Sequence, residues 1–160
     1  MTSMSLSKRA QYFQDLLADR GLQMEVLELP ASTRTADDAA RTLGCQKAQI
    51  VKSLVFRSLA GNRPVVVLAS GPNRVNEAAI SELIGAQIVK GDADFVKETT
   101  GFAIGGVPPF GHREEVALLV DEDLLQFDEL WAAAGTPSAV FKITGRFTDV
   151  LPAHRVVSVK

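Results

Sequence analysis

Lys52 is an ammonium set inside an apolar run, Ile50-Val51-Lys52-Ser53-Leu54-Val55-Phe56. On an extended strand alternate residues share a face, so Lys52 groups with Ile50, Leu54 and Phe56. Val51, Ser53 and Val55 form the other face, and both faces read as largely buried. Burying an ammonium is costly unless it is paired or opens onto a cleft. Lys52 is therefore either a strand-end lysine whose stem reaches water or a cation in a pocket wall that holds an anionic or carbonyl oxygen. The second unusual segment is Gly101-Phe102-Ala103-Ile104-Gly105-Gly106-Val107-Pro108-Pro109-Phe110-Gly111-His112. Glycines permit positive φ and close backbone approach. Prolines freeze part of the loop and remove competing donors. Such a loop is either a structural turn or a source of free N–H groups, from Gly105 or Gly106, for an oxyanion. His112 ends it, as a structural histidine or as one that orients a substrate.

Other polar residues carry blander readings. Asp121-Glu122-Asp123 reads as helix capping and solvated charge. Arg74 reads as a surface arginine, with a phosphate contact as the alternative. Thr136 and Ser138 lie in a turn that borders the pocket, and Trp131 falls on the apolar stripe of an expected helix. Several familiar signatures are missing. No glycine precedes Lys-Ser or Lys-Thr as in a Walker A loop, and no G-x-G-x-x-G occurs. Leu68 and Pro72 stand where a nucleophile elbow around Ser70 requires glycines. His112 and His154 are the two histidines, and neither sits in H-E-x-x-H. Cys45 is the one cysteine, which excludes an intramolecular disulfide. It also excludes, within one chain, zinc sites built from four cysteines or from two cysteines and two histidines. No metal and no cofactor is expected.

The elements that position these residues are legible from periodicity and punctuation. Ser7 caps a first helix that Gly21 ends, with Ala10, Phe13, Leu16 and Leu17 at helical spacing. A strand is expected over 24–29, a polar loop over 31–34, and a short helix from Thr35 to a stop at Gly44. Strands over 50–57 and 64–70 flank Ala60-Gly61-Asn62, a hairpin signal. Asn76 or Asn73 caps a helix running to Ile84. A strand over 86–90 and an Asp92-capped helix through Glu98 precede the Gly/Pro loop. Beyond it come a strand over 116–121, a helix over 124–134, a strand over 139–143, a helical turn over 147–151 and a last strand over 155–159. Strands and short helices mix without strict alternation. That pattern predicts an α+β domain with a mixed or antiparallel central sheet, not a doubly wound parallel one.

Composition bounds the partners. The 160 residues fit one domain, 1–160. Seventeen Lys and Arg against nineteen Asp and Glu give a net charge of −2, and the pI is about 5.7. Proteins that grip long stretches of nucleic-acid backbone are usually far more basic. This excludes a DNA or RNA coat and leaves room for a small local contact. The polar N-terminus has no signal-peptide core, and no apolar run approaches the length of a membrane span. The expected location is the cytoplasm, without membrane contact.

Three segments occur here in the order seen in one family: Gln49-Ile50-Val51-Lys52-Ser53-Leu54-Val55-Phe56, Gly105-Gly106-Val107-Pro108-Pro109-Phe110-Gly111-His112, and Asp121-Glu122-Asp123-Leu124-Leu125. With the helix Thr-Ala-Asp-Asp-Ala-Ala-Arg-Thr-Leu-Gly at 35–44, the chain resembles the YbaK-type aminoacyl-tRNA deacylases from about Glu28 onward. These are free-standing relatives of the editing insertion domain of bacterial prolyl-tRNA synthetase. The resemblance implies hydrolysis of the ester of a mischarged tRNA, typically one for proline. The family's strand lysine maps onto Lys52, and its loop pattern onto Gly105 and Pro109.

An aminoacyl ester is already activated, so no protein nucleophile is needed. Lys52 and the N–H groups of Gly105 and Gly106 are the catalytic candidates. Ser53, Ser70, Pro108, Pro109, His112 and Thr136 are the candidates for substrate binding. A ribose hydroxyl of the substrate is the expected activator of the water. Branches of the family differ around the loop and the later turn, so His112 and Thr136 do not identify the amino acid removed. The implied partner is the acceptor end of aminoacyl-tRNA, with prolyl-tRNA synthetase or an elongation factor as a docking partner. The alternatives are a module that binds a nucleotide or aminoacyl adenylate without turnover, and a regulatory partner of a synthetase.

Overall fold

The structure is a computed structural model that describes residues 6–29 and 35–160. The expected loop over 31–34 lies outside the described residues. Helix α1 (Lys8–Asp19) buries Ala10, Phe13 and Leu17 and is followed by strand β1 (Val26–Glu28). Helix α2 (Ala36–Leu43) starts where the Thr35 side chain accepts from the Asp38 N–H, and it stops at Gly44 in the left-handed region. A 3-10 turn (Lys47–Gln49) leads into β2 (Ile50–Ser58), which pairs antiparallel with β3 (Arg63–Ser70) through the expected hairpin. Asn76 caps α3 (Glu77–Ile84) and Asp92 caps α4 (Ala93–Thr100), with β4 (Ile88–Lys90) between them. The chain closes with β5 (Ala117–Asp121), β6 (Glu129–Ala133), β7 (Ala139–Thr144) and β8 (Arg155–Val157).

The strands form one mixed sheet in the order β1-β7-β6-β2-β3-β5-β8, with β4 attached to β2. This is the expected α+β class, and the parallel pairs β2/β6, β3/β5 and β5/β8 make the sheet mixed. Strand β3 is buried along almost its whole length because both faces are covered. Val66 and Leu68 join the core under α1, whereas Val65, Val67 and Ala69 pack with Ile80 of α3.

One expected element is replaced. The helix anticipated over 124–134 is a 3-10 turn (Glu122–Gln126) followed by strand β6. Leu130 and Ala132 are buried while their neighbours Trp131 and Ala133 are only partly covered, a period of two. Ladders to β2 and β7 on either side fix that segment as a strand, so tertiary pairing overrides helical spacing. Trp131 is consequently not a core residue. It sits partly exposed, with the Lys142 ammonium 5.6 Å from its ring centre.

The sheet is interrupted beside β2. On the edge opposite β3, β2 pairs with β6 at Ile50 and Val51 and with β4 at Phe56, Arg57 and Ser58. Residues 52–55 have no ladder partner on that side. The Gly/Pro loop lies near this gap and is held at both ends by aromatic packing. Phe13 of α1 contacts Phe102 (6.4 Å between ring centres), Phe110 (5.6 Å) and Phe141 (5.0 Å). In the middle, Gly106 presses on the turn over 135–138. A Cβ at Gly106 would come 2.7 Å from the Thr136 Cα, and Gly106 accepts from the Gly135 N–H.

His112 belongs to this scaffold. Its Nε2–H donates to the Pro108 carbonyl at 2.7 Å. Burial, with help from the Arg20 charge, pushes its pKa below the ordinary imidazole range, against the Pro108 bond that favours the charged form. The folded protein therefore binds this proton less readily than the unfolded chain. The contribution is complete above the unfolded value of about 6.5 and is lost as pH falls towards the folded one.

Two outcomes are expected. Melting curves in phosphate-free buffer should show stability falling as pH drops below about 6.5, and His112→Gln should flatten that fall; an unchanged slope would remove His112 as its source. Gly106→Ala should destabilise by about 1–3 kcal/mol through overpacking against backbone, read as a lower Tm. An unshifted Tm would mean that the loop and the turn separate freely.

Candidate functional site

The gap beside β2 opens into a two-lobed cleft. The larger lobe, about 760 Å³, is lined by the cations Lys47, Lys52, Arg74 and Lys90, with Glu77 the one carboxylate in its wall. The smaller lobe, about 450 Å³, has apolar walls from Ile50, Trp131, Ala132, Pro137 and Val140, with Asp37 in its lining. Lys52, Ser53, Leu54, Ile104, Gly105 and Val107 line both lobes, and so do Gly71 and Lys47, whose Nζ pairs with Asp37 at 3.1 Å. The unpaired stretch of β2 and the middle of the Gly/Pro loop thus form the junction.

Lys52 stands at that junction with its Nζ donating to the Asn73 carbonyl at 2.7 Å. An ammonium has three protons, so two remain for a ligand. Burial is the main cause lowering its pKa, and the charges of Lys47 and Arg74 act in the same direction; Asp121 opposes them. The resulting ammonium is partly desolvated and interacts strongly with a carbonyl or phosphate oxygen that enters the cleft.

Ser53 supplies the second feature. Its Oγ is buried without a hydrogen-bond partner among the described residues. The Val55 carbonyl accepts from the Gly91 N–H, so Val55 points its backbone polar groups into the gap. Strand alternation turns those of Ser53 the same way. A buried polar group without a partner is an unusual expense in a folded protein; the Ser53 side chain takes the opposite strand face from Lys52, and the residue itself lines both lobes.

The loop contributes Gly105 (φ 89°), whose N–H has no backbone partner among the described residues. Gly106 differs: its N–H donates to the Ala103 carbonyl at 2.9 Å. Of the two expected oxyanion donors, the geometry leaves Gly105 free and uses Gly106 to seat the loop.

Five expected substrate contacts lie away from the cleft. Ser70 is buried, and its Oγ donates to the Ala48 carbonyl at 2.6 Å. Pro108 and Pro109 are buried under the loop. His112 faces a different pocket, beside Arg9, Arg20 and Arg113. Thr136 does not line either lobe; its Oγ1 accepts from the N–H groups of Ser138 and Ala139 and shapes the turn that carries Pro137 into the smaller lobe. Their parts in this structure are structural, whereas Lys52, Ser53 and Gly105 are brought together.

Sequence reasoning missed the group that holds Lys52. Asp121 is fully buried, not solvated. It accepts from the Ser70 N–H (3.0 Å), Asn73 Nδ2 (2.7 Å) and the Asp123 N–H (2.9 Å). Asn73 Nδ2 also reaches Asp123 at 2.7 Å, and Asp123 pairs with Lys160 at 3.0 Å. The hydrogen bonds of Asn73 and the Lys160 charge hold the Asp123 carboxyl below the usual range. Gly71 completes the turn, since a Cβ there would stand 2.2 Å from the Lys47 carbonyl. The available signal was an aspartate closing an apolar strand. That it meets Asn73 depends on the parallel β3/β5 register, in which Leu68 faces Val120.

Residues 30–149, 120 of the 160, match the family model of an aminoacyl-tRNA editing domain. The uncharacterized protein YwhH of Bacillus subtilis (strain 168) is 29% identical over 120 residues, covering 75% of this chain and 76% of that protein. A proline–tRNA ligase of Limosilactobacillus fermentum is 33% identical over 94 residues, covering 56% of this chain and 16% of the ligase. The chain therefore spans about a sixth of that relative's length. A crystal structure described as a candidate trans-editing enzyme for prolyl tRNA synthetase superposes with a TM-score of 0.89 at 43% identity, covering 98% of this chain and 99% of that one. Hypothetical protein APE2540 superposes with a TM-score of 0.80 at 28% identity, covering 89% and 95%. The chain belongs to the aminoacyl-tRNA editing domain family.

Proposed function

We propose that this protein is a trans-acting deacylase that hydrolyses the ester of mischarged aminoacyl-tRNA, with tRNA for proline carrying a small wrong amino acid as the preferred substrate. The observation that carries this reading is the convergence of Lys52, Ser53 and Gly105 at the junction of a cationic and an apolar lobe. An aminoacylated 3′ end has the matching polarity. Its phosphates and ribose suit the lobe of Lys47, Arg74 and Lys90, and its amino-acid side chain suits the lobe of Trp131, Ala132 and Pro137. The ester carbonyl then falls between them.

In this reading Lys52 and the Gly105 N–H meet the carbonyl oxygen as it becomes an oxyanion, which is the interaction that lowers the barrier. Water oxygen bonds to the carbonyl carbon, and the bond from that carbon to the ribose oxygen breaks. The proton released by the water ends on the leaving ribose oxygen. A ribose hydroxyl of the substrate mediates this transfer; among the described residues, those that line both lobes include no carboxylate or imidazole. Asn73 holds Lys52 in place through its carbonyl. The smaller lobe selects by size, and because one methylene is worth only about 1–3 kcal/mol, discrimination among small side chains is modest. The association with prolyl-tRNA synthetase rests on the ligase relatives, and the cytoplasmic location on the substrate. No feature of the structure argues for an elongation factor.

Presenting tRNA for proline charged with Ala, Cys, Ser, Thr, 2-aminobutyrate or Pro should show loss of one or more small wrong esters and survival of Pro-tRNA. Lys52→Ala should slow that loss by about 100-fold or more, the scale of a removed oxyanion contact, with the melting curve retained. Binding of an aminoacyl-adenylate analogue without any ester loss would favour the non-catalytic module. Full activity of Lys52→Ala would end the role given to Lys52.

A further inference from the structure

A second pocket lies at the two ends of the same Gly/Pro loop, with a volume of about 490 Å³. Its walls come from α1 (Arg9, Tyr12, Arg20) and from the flanks of the loop (Thr100–Phe102 and Gly111–Arg113). No carboxylate lines it, and none of its three guanidinium groups forms a salt bridge among the described residues. Each is nonetheless placed. Arg9 lies 4.8 Å from the ring centre of Tyr12 and 4.9 Å from that of Phe102, and its Nη2 donates to the Gly101 carbonyl. Arg9 Nε is buried without a hydrogen-bond partner among the described residues. Arg20 lies 5.3 Å from the ring centre of Phe110. Arg113 Nη1 donates to the Glu98 carbonyl at 3.4 Å. Gly101, at the pocket floor, has a φ of 85°, which favours glycine there.

Like charges gathered without counter-charges repel one another, and a protein with a net charge of −2 has carboxylates to spare. Three arginines held by stacking and by carbonyls, with forked donors left over, make a receptor for a tetrahedral oxyanion. Tyr12, half-exposed beside Arg9, adds a hydroxyl and a flat ring at the rim. The middle of the loop lines the catalytic cleft while its ends frame this pocket.

We infer that the Arg9–Arg20–Arg113 pocket binds a backbone phosphate of the tRNA whose acylated end occupies the cleft. This rests on the deacylase reading for the identity of the RNA, and on the pocket itself for the phosphate. The pocket acts on binding of the tRNA body and leaves the bond-breaking step untouched. It supplies a contact that a short aminoacylated fragment of the acceptor end does not make.

The test uses Arg20→Gln/Arg113→Gln, both exposed positions, with Arg20→Lys/Arg113→Lys as the charge-preserving control and melting curves to verify folding. With full-length mischarged tRNA the Gln variant should raise KM about tenfold while kcat holds, and the Lys variant should recover most of that loss. With a short aminoacylated acceptor fragment all three proteins should perform alike. For uncharged tRNA, the slope of log affinity against log salt should shrink by about 0.7–0.9, the loss of one neutralised phosphate. Unchanged KM and unchanged salt slope would overturn the inference. Stabilisation by inorganic phosphate that depends on Arg20 and Arg113, without any effect on tRNA binding, would assign the pocket to free phosphate and overturn it too. If the wild type hydrolyses neither substrate, the deacylase reading fails, and the salt slope with uncharged tRNA still decides the pocket.

Discussion

Strand β2 has more edge than its neighbours fill. Two-residue pairing with β6 at one end and three-residue pairing with β4 at the other leave 52–55 without a ladder partner on that side. In most sheets such an edge is covered or defended, because free N–H and C=O groups are costly when buried. Here the uncovered stretch coincides with the junction of the two lobes. The cleft is therefore a property of the strand order itself. A sheet that paired β2 fully would use the backbone groups of Ser53 and Val55 in a ladder and close the gap.

Around this gap the structure is built for rigidity. Asp121 gathers three donors at the end of β5 and fixes the turn that presents the Asn73 carbonyl to Lys52. A buried carboxylate with too few donors would be a liability, and one with several specifies a single arrangement. On the other side of the cleft, aromatic packing by Phe13 holds both flanks of the loop, and Gly106 meets the backbone of Thr136. Lys52 and Gly105 thus come from separate elements, each clamped independently. Preorganised donors of this kind stabilise developing charge without reorganising during the reaction.

What was legible in the sequence follows from how local each signal is. Thr35, Asn76 and Asp92 cap their helices because a capping bond spans only three residues. Lys52 stands out because an ammonium in an apolar strand needs a reason to be there. The Gly/Pro loop stands out for the same kind of reason, although the division of labour between Gly105 and Gly106 is set by a contact with Ala103 and by the distant turn at Thr136. The strand nature of β6 was not legible, because its apolar residues satisfy a helical spacing and the decision is made by β2 and β7. Asp121 caps the 3-10 turn as read, but its burial was not legible: it follows from the pairing of β5 with β3, a contact between segments some fifty residues apart. Residues such as His112 and Ser70 carry functional side-chain types but spend them on nearby carbonyls.

The unpaired stretch of β2, together with Gly105, is the proposed seat of the acylated 3′ end. Amide chemical-shift mapping with a non-hydrolysable aminoacyl-adenosine analogue, in which an amide replaces the ester, tests it most directly. The largest shifts should fall on Lys52, Ser53, Leu54 and Gly105, and Gly106, whose N–H is held by Ala103, should move less. Saturable shifts elsewhere on the surface, with Ser53 and Gly105 unmoved, would contradict it.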